Sequence, residues 1–263
     1  EAEQRSDHVA IASALPALDE SPAAAMVCGG TETATAFALY EIRAGRDARV
    51  LAFTNQAVLS YNAAIHEALH GRTEFPFVPG EPVIVHAACD AYPLDEEGKT
   101  TGIKTTLITS EEAIVREVVE KAHPFFKEIP CAAVTLERDN DTRVLVYVAM
   151  NAADVERAIS ERFSDWRALK GEADAAYGQG RSNEGRRLQD KAKEASAKAW
   201  TLRKAFAPLR HAYAMTAHKS QGSTFDTAIV DLSDMAKMRS AFAFNRGLYV
   251  AATRPSQYLA IVA

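Results

Sequence analysis

The sequence predicts an α/β protein built on a parallel sheet, with a small β domain and a helical hairpin inserted into it. Three observations carry this expectation. Residues 49–69 read as a strand, a polar cap and an amphipathic helix. Residues 212–231 read as two short apolar strands joined by a polar loop. Between them, Pro- and Gly-punctuated β segments give way to a long alanine-rich polar tract. The divisions expected are 1–70 with 207–263 as one domain, 71–150 as the β insertion and 151–206 as the hairpin.

In chain order, residues 1–18 place Val9, Ile11, Ala12, Leu15 and Leu18 at helical spacing behind the cap candidates Ser6 and Asp7. Residues 24–28 suit a strand and 31–44 a helix. Arg49 to Phe53 form a strand ending at Thr54 and Asn55, after which Val58, Tyr61, Ile65 and Leu69 fall on one helical face. Strand ends and helix N–H groups meet there, which suits a phosphate; simple capping of the helix accounts for Thr54 and Asn55 equally well. Residues 75–85 have the punctuation of a small barrel's first strand. Residues 134–137 and 143–149 alternate around Arg138-Asp139-Asn140-Asp141, a hairpin signal. Residues 110–122 fit a helix by spacing and a strand by β-branching. The tract 152–206 reads as two antiparallel helices broken at Gly178-Gln179-Gly180, with Trp166, Leu169 and Tyr177 facing Leu188, Trp200 and Leu202.

With 263 residues, 48% hydrophobic and 25% charged, the chain can form one large or two small cored domains. Its apolar runs are too short to span a membrane and its start lacks the features of a signal peptide, so a cytoplasmic protein without a membrane partner is expected. Cys28, Cys89 and Cys131 are widely spaced and suit reduced core thiols better than zinc ligands or disulfides. The net charge of −5 hides an asymmetry. Residues 1–180 carry 16 Lys and Arg against 29 Asp and Glu, net −13, whereas residues 181–263 carry 14 against 6, net +8. No carboxylate follows Asp234, while Lys237, Arg239, Arg246 and Arg254 remain. A positive sector on an acidic chain is the footprint of a local polyanion site. The hairpin's second arm is also basic, and a solvated helical face is the first expectation for it, ahead of DNA contact.

The polar loop is Thr216-Ala217-His218-Lys219-Ser220-Gln221-Gly222, rich in donors to oxyanions and expected to hang on the carboxyl end of the sheet. A charged surface turn would look the same. Residues 245–254 read as a helix ending in an arginine, followed by a strand over 258–262. Together, T-x-H-K-S-Q-G-x-x-x-D and L-Y-V-A-x-T-R resemble motifs V and VI of superfamily 1 helicases, most closely those of the RecD and Dda branch. VLAFTNQAVLSYN resembles that family's VxAFTNxxVxxxN block, and Gln4-Arg5-Ser6 resembles the segment that opens its second RecA-like domain.

The resemblance implies a RecA-like domain with an SH3-like β insertion, and so favours a strand at 110–122. It also implies that ATP binds in a cleft between two domains. The first domain would supply the P-loop lysine and the Mg²⁺ carboxylate, and the second would supply arginines to the γ-phosphate. By that likeness Arg254 and Arg5 are the catalytic candidates, and Gln221 and Gly222 lie near the nucleotide. Thr54, Asn55, Thr216, His218 and Lys219 touch the backbone of single-stranded DNA, and movement is 5′→3′. One departure is Pro255, where relatives often carry Gly or Ala. A larger one is that no G-x-x-x-x-G-K-[ST] occurs. The chain is therefore expected to be part of a longer polypeptide whose N-terminal P-loop domain is its partner. By itself it should hold neither ATP nor Mg²⁺, and no metal site is expected. The alternative is a non-catalytic nucleic-acid-binding or interaction module derived from a helicase.

Overall fold

The computed structural model describes residues 23–27 and 30–263. The helix expected over 1–18, and with it Arg5, lies outside the described residues. In chain order the elements begin with β1 (Ala23–Val27), α1 (Thr31–Arg43), β2 (Ala48–Ala52) and α2 (Asn55–His70). Then come β3 (Pro82–Val85), β4 (Cys89–Pro93), β5 (Thr105–Leu107), β6 (Glu112–Glu120), β7 (Cys131–Arg138) and β8 (Arg143–Ala149). The long helices α3 (Ala152–Gly178) and α4 (Ser182–Ala205) follow, then β9 (Leu209–His211), β10 (Ala214–Thr216) and β11 (Phe225–Asp231). The chain closes with α5 (Leu232–Met235), α6 (Ala241–Ala252) and β12 (Pro255–Val262). Two compact units result, one of residues up to Thr73 with His211–Ala263, the other Glu74–Arg210. Among the described residues no helix is long and apolar enough to cross a membrane.

The first unit is a five-stranded parallel sheet in the order β1-β12-β11-β2-β10. Every residue of β2 is buried, as a parallel strand covered on both faces must be. Alternation then sorts the side chains. Val50, Ala52, Ile229, Ala260 and Val262 meet Ala34, Ala38, Tyr61 and Ile65 of α1 and α2. Leu51, Met215, Val230 and Leu259 meet Met235, Met238 and Ala251 on the other side. Three polar anchors fix the helices. At the end of α1, buried Glu41 takes two hydrogen bonds of 2.6 Å from the Arg46 guanidinium and one of 2.6 Å from the Thr227 hydroxyl. The Arg46 bonds lead in holding its carboxyl below the usual range. On α2, the Tyr61 hydroxyl donates to Asp231 at 2.7 Å, and burial followed by that carboxylate pushes the phenol's pKa up.

The third anchor is Asn62, the last residue of the VLAFTNQAVLSYN block. β10 is an edge strand, and buried Asn62 completes its open side. The Asn62 amide donates to the Ala214 carbonyl at 3.0 Å, and its oxygen accepts from the Ala214 N–H at 2.8 Å. Asn62→Ala would strand both backbone groups away from water. It is expected to destabilise the protein by about 2–4 kcal/mol, measured as a lowered urea midpoint with unchanged slope.

The second unit holds a seven-stranded antiparallel sheet in the order β5-β4-β8-β7-β6-β3-β9. Over residues 110–122 the β-branched side chains prevail over helical spacing: Ala113 and Val115 of β6 are buried in one core with Val83, Leu136 and Val146, and the register shifts between Val115 and Glu117. α3 and α4 form the expected hairpin, and the chain turns at Gly180 with φ 73°. Trp166 and Trp200 meet through Phe163, whose ring lies 6.1 and 5.5 Å from theirs. Leu202 departs from the expected seam, packing with Ile129, Tyr147 and Phe206 of the β unit's second core. Cys89 and Cys131 are buried free thiols, and burial first, then Asp90 and Glu111, pushes Cys89 up to about 12.

Candidate nucleic-acid and phosphate site

β10 and β11 flank β2 and both run parallel to it, so residues 217–224 must carry the chain from one end of the sheet back to the other. Thr216 pairs with Ala52 at the carboxyl end of β2, whereas Thr227 pairs with Ala48 at its amino end. Those ends are about 13 Å apart at the rise of a strand. The motif loop therefore does not hang on one end of the sheet, as its local sequence suggested. It crosses a face.

The crossing segment is held by its own polar groups. Lys219 and Ser220 N–H donate to the Thr216 carbonyl at 2.9 and 3.1 Å, and Ala217 N–H donates to Ala52 at 2.9 Å. Ser220 is fully buried, its hydroxyl donating to the Ala217 carbonyl at 2.8 Å, and Ser223 N–H closes on the Ser220 carbonyl at 3.1 Å. Gly222 has φ 94°, a conformation open to glycine and costly for other residues. His218, Gln221 and Gly222 are exposed and Lys219 is half-buried.

Arg254 stands at the amino end of the sheet, just after α6. Its Nε donates to the Val250 carbonyl at 2.9 Å, Nη1 to the Ser223 carbonyl at 3.3 Å and Nη2 to the Thr253 hydroxyl at 2.9 Å. The guanidinium is thus brought against the far end of the motif loop, beside Gly222. All three partners are neutral oxygens, so among the described residues no carboxylate pairs with it, a state that suits a phosphate. Pro255 opens β12, a first-strand position that needs no N–H, and Arg254 still offers its carbonyl to Phe225 N–H at 3.1 Å.

Thr54 lies at the opposite, carboxyl end, and its donors are already engaged. The buried Asp234 carboxylate accepts from Phe53 N–H at 2.8 Å, Thr54 N–H at 2.7 Å, the Thr54 hydroxyl at 2.8 Å and Lys237 Nζ at 2.8 Å. The Thr54 hydroxyl also accepts from Ala57 N–H at 3.2 Å, capping α2, so capping is realised and an acidic side chain stands where an anion was expected. Burial works to raise the Asp234 carboxyl, but Lys237 with the Thr54 and Phe53 donors outweighs it and holds the carboxyl below the usual range. Asn55 is exposed at the first turn of α2.

Beside this end lies a cleft of about 500 Å³. His218, Gln221 and Phe53 line it from the sheet side, and Arg239, Phe242, Arg246 and Val250 from α6 and the turn before it. The structure thus joins His218 to Gln221 and separates both from Arg254, which does not line the cleft. Sequence reasoning missed Asp234 as the hub of the Thr54 junction and Phe242 altogether. The loss of carboxylates after Asp234 was the signal for the arginines; Phe242 has no local signal, since its exposure is a tertiary fact.

A parallel-sheet α/β domain with an inserted β unit and a motif segment joining the sheet's two ends is the class that fold and site define. Residues 211–262 match the family model described as UvrD-like helicase C-terminal domain, so this stretch carries the C-terminal element of a superfamily 1 helicase, as its motifs indicated. Among solved structures the chain is similar to the Pif1 helicase from Candida albicans, at 15% identity and a TM-score of 0.37, covering 88% of this chain and 49% of that one. It is also similar to the Pif1 helicase from Bacteroides in complex with ADP-AlF3 and ssDNA, at 13% identity and a TM-score of 0.39, with 88% and 49% covered. The chain therefore spans about half the length of those structures. No curated protein matches it.

Proposed function

We propose that this chain is the C-terminal motor half of an ATP-dependent DNA helicase of the RecD and Dda branch, moving 5′→3′ along single-stranded DNA. The β unit would be its SH3-like insertion. An N-terminal P-loop domain of the same polypeptide would supply the P-loop lysine and the Mg²⁺ ligands. The observation that carries this is the crossing segment, which ties Thr216 and His218 at one end of the sheet to Gly222 and the Arg254 guanidinium at the other. Such a link is what a motor needs. A charge change at the nucleotide end would pull on Ser223 and Gly222, and the strain would reach the strand-holding end through a segment hydrogen-bonded along its own length.

Arg254 would close on the γ-phosphate, with Arg5 as partner. Thr216, His218, Lys219 and Asn55 would touch the DNA backbone. Thr54 would act mainly by shaping its junction, since Asp234 takes its donors. Gln221 lines the His218 cleft and would report on the strand as much as on the nucleotide. The complete protein is expected to hydrolyse ATP faster when single strands are added, and His218→Ala to blunt that stimulation while leaving the basal rate intact. A complete protein with no ATP turnover under either condition would leave only a nucleic-acid-binding module.

A further inference from the structure

Phe242 sits in the first turn of α6 with 51% of its surface exposed, on the wall of the cleft that bears Arg239 and Arg246. One exposed phenylalanine is ordinary. Its company is not. On α6, Phe242 and Arg246 are four residues apart and so share a face, and Arg239 immediately precedes the Ser240 cap. Neither arginine has an ion-pair or hydrogen-bond partner among the described residues, although Arg46, Arg116 and Arg157 all hold carboxylates. Among the described residues no acidic side chain lines the cleft, and its other polar groups are His218 and Gln221. Two cations with no partner among the described residues thus share with a half-exposed aromatic side chain a cleft of about 500 Å³, which can admit a nucleotide-sized unit.

That combination of aromatic face and unneutralised guanidinium fits a strand with unpaired bases. An acidic peptide could satisfy the arginines, but it would leave the ring without a planar partner. We infer that Phe242 is a base-stacking platform for single-stranded nucleic acid, with Arg239 and Arg246 holding the phosphates on either side of the stacked base. The inference rests on the proposed function, which brings the strand to the His218 end, and adds to it a contact with the base itself. Because every base offers a π face, such a contact grips without reading sequence.

The test is fluorescence anisotropy on the complete protein, with a labelled oligo-dT and with an abasic phosphodiester strand of equal length. Phe242→Ala should weaken oligo-dT binding by about 5- to 150-fold and leave the abasic strand unaffected. Phe242→Trp should bind oligo-dT at least as tightly as the unaltered protein, and Arg239→Ala should weaken both strands. Equal losses on both strands for Phe242→Ala, no loss on either, or a Phe242→Trp as weak as the alanine variant would each overturn the stacking role. If Arg239→Ala still weakened both strands in those cases, the helicase reading would stand without it. An unaltered protein that bound neither strand would overturn the helicase reading as well.

Discussion

In the complete protein, Arg254→Ala is expected to lower ATP turnover by about 10³- to 10⁵-fold, the usual contribution of a guanidinium placed on the transferring phosphoryl group. The geometry explains why this arginine is suited to the task. It stands half-buried at the end of α6, gripping the carbonyls of Val250 and Ser223 and the Thr253 hydroxyl, and none of these neutralises it. An arriving γ-phosphate would exchange neutral acceptors for charged ones, strengthening each bond about twofold. Arg254→Lys should recover little, because a lysine keeps the charge but loses the fork that spans Val250 and Ser223. The bonds lost from the resting protein are to neutral oxygens and contribute only about 0.5–1.5 kcal/mol each, so an unfolding curve recorded in parallel separates a damaged fold from damaged chemistry. Unchanged turnover in a folded Arg254→Ala protein would remove the residue from the reaction.

The second large effect is on stability. Asp234→Asn should cost about 3–5 kcal/mol, because the buried carboxylate receives four donors, Phe53 N–H, Thr54 N–H, the Thr54 hydroxyl and Lys237 Nζ. A carboxamide offers one oxygen and turns an NH₂ group toward the remaining donors. The same contacts set the pH dependence. With the folded pKa depressed below the ordinary value of 3.8, the contribution is fully present above that value and is lost as pH falls through the folded pKa. Urea midpoints measured from neutral to acidic pH should therefore converge for the native protein and Asp234→Asn at the acid end and diverge above it. Parallel curves across the range would show that the carboxylate charge does not support the junction.

Much of this protein is legible from local sequence. The cap at Thr54, the one-sided helix after it, the strand β2 and the Gly180 turn all follow from turn chemistry and periodicities of two and 3.6 residues. The T-x-H-K-S-Q-G and L-Y-V-A-x-T-R stretches marked a candidate site through their joint resemblance to helicase motifs, since the local chemistry of the loop suits a charged surface turn equally well. Residues 110–122 were not, because spacing and β-branching disagreed there until the partner strands β3 and β7 settled the matter.

Local chemistry thus established most of the strands and helices, because those choices are made by neighbours along the chain. It could not establish where those segments would stand. The parallel alignment of Thr216 with Ala52, and of Thr227 with Ala48, joins residues far apart in sequence. Only that alignment turns the motif loop into a strap across the sheet, with His218 at one end and Arg254 at the other. The reach of Asp234 back to Thr54 and the exposure of Phe242 in a cleft shared with Arg239 and Arg246 belong to the same level. Each depends on burial of both sheet faces, a demand that no single stretch of sequence can express.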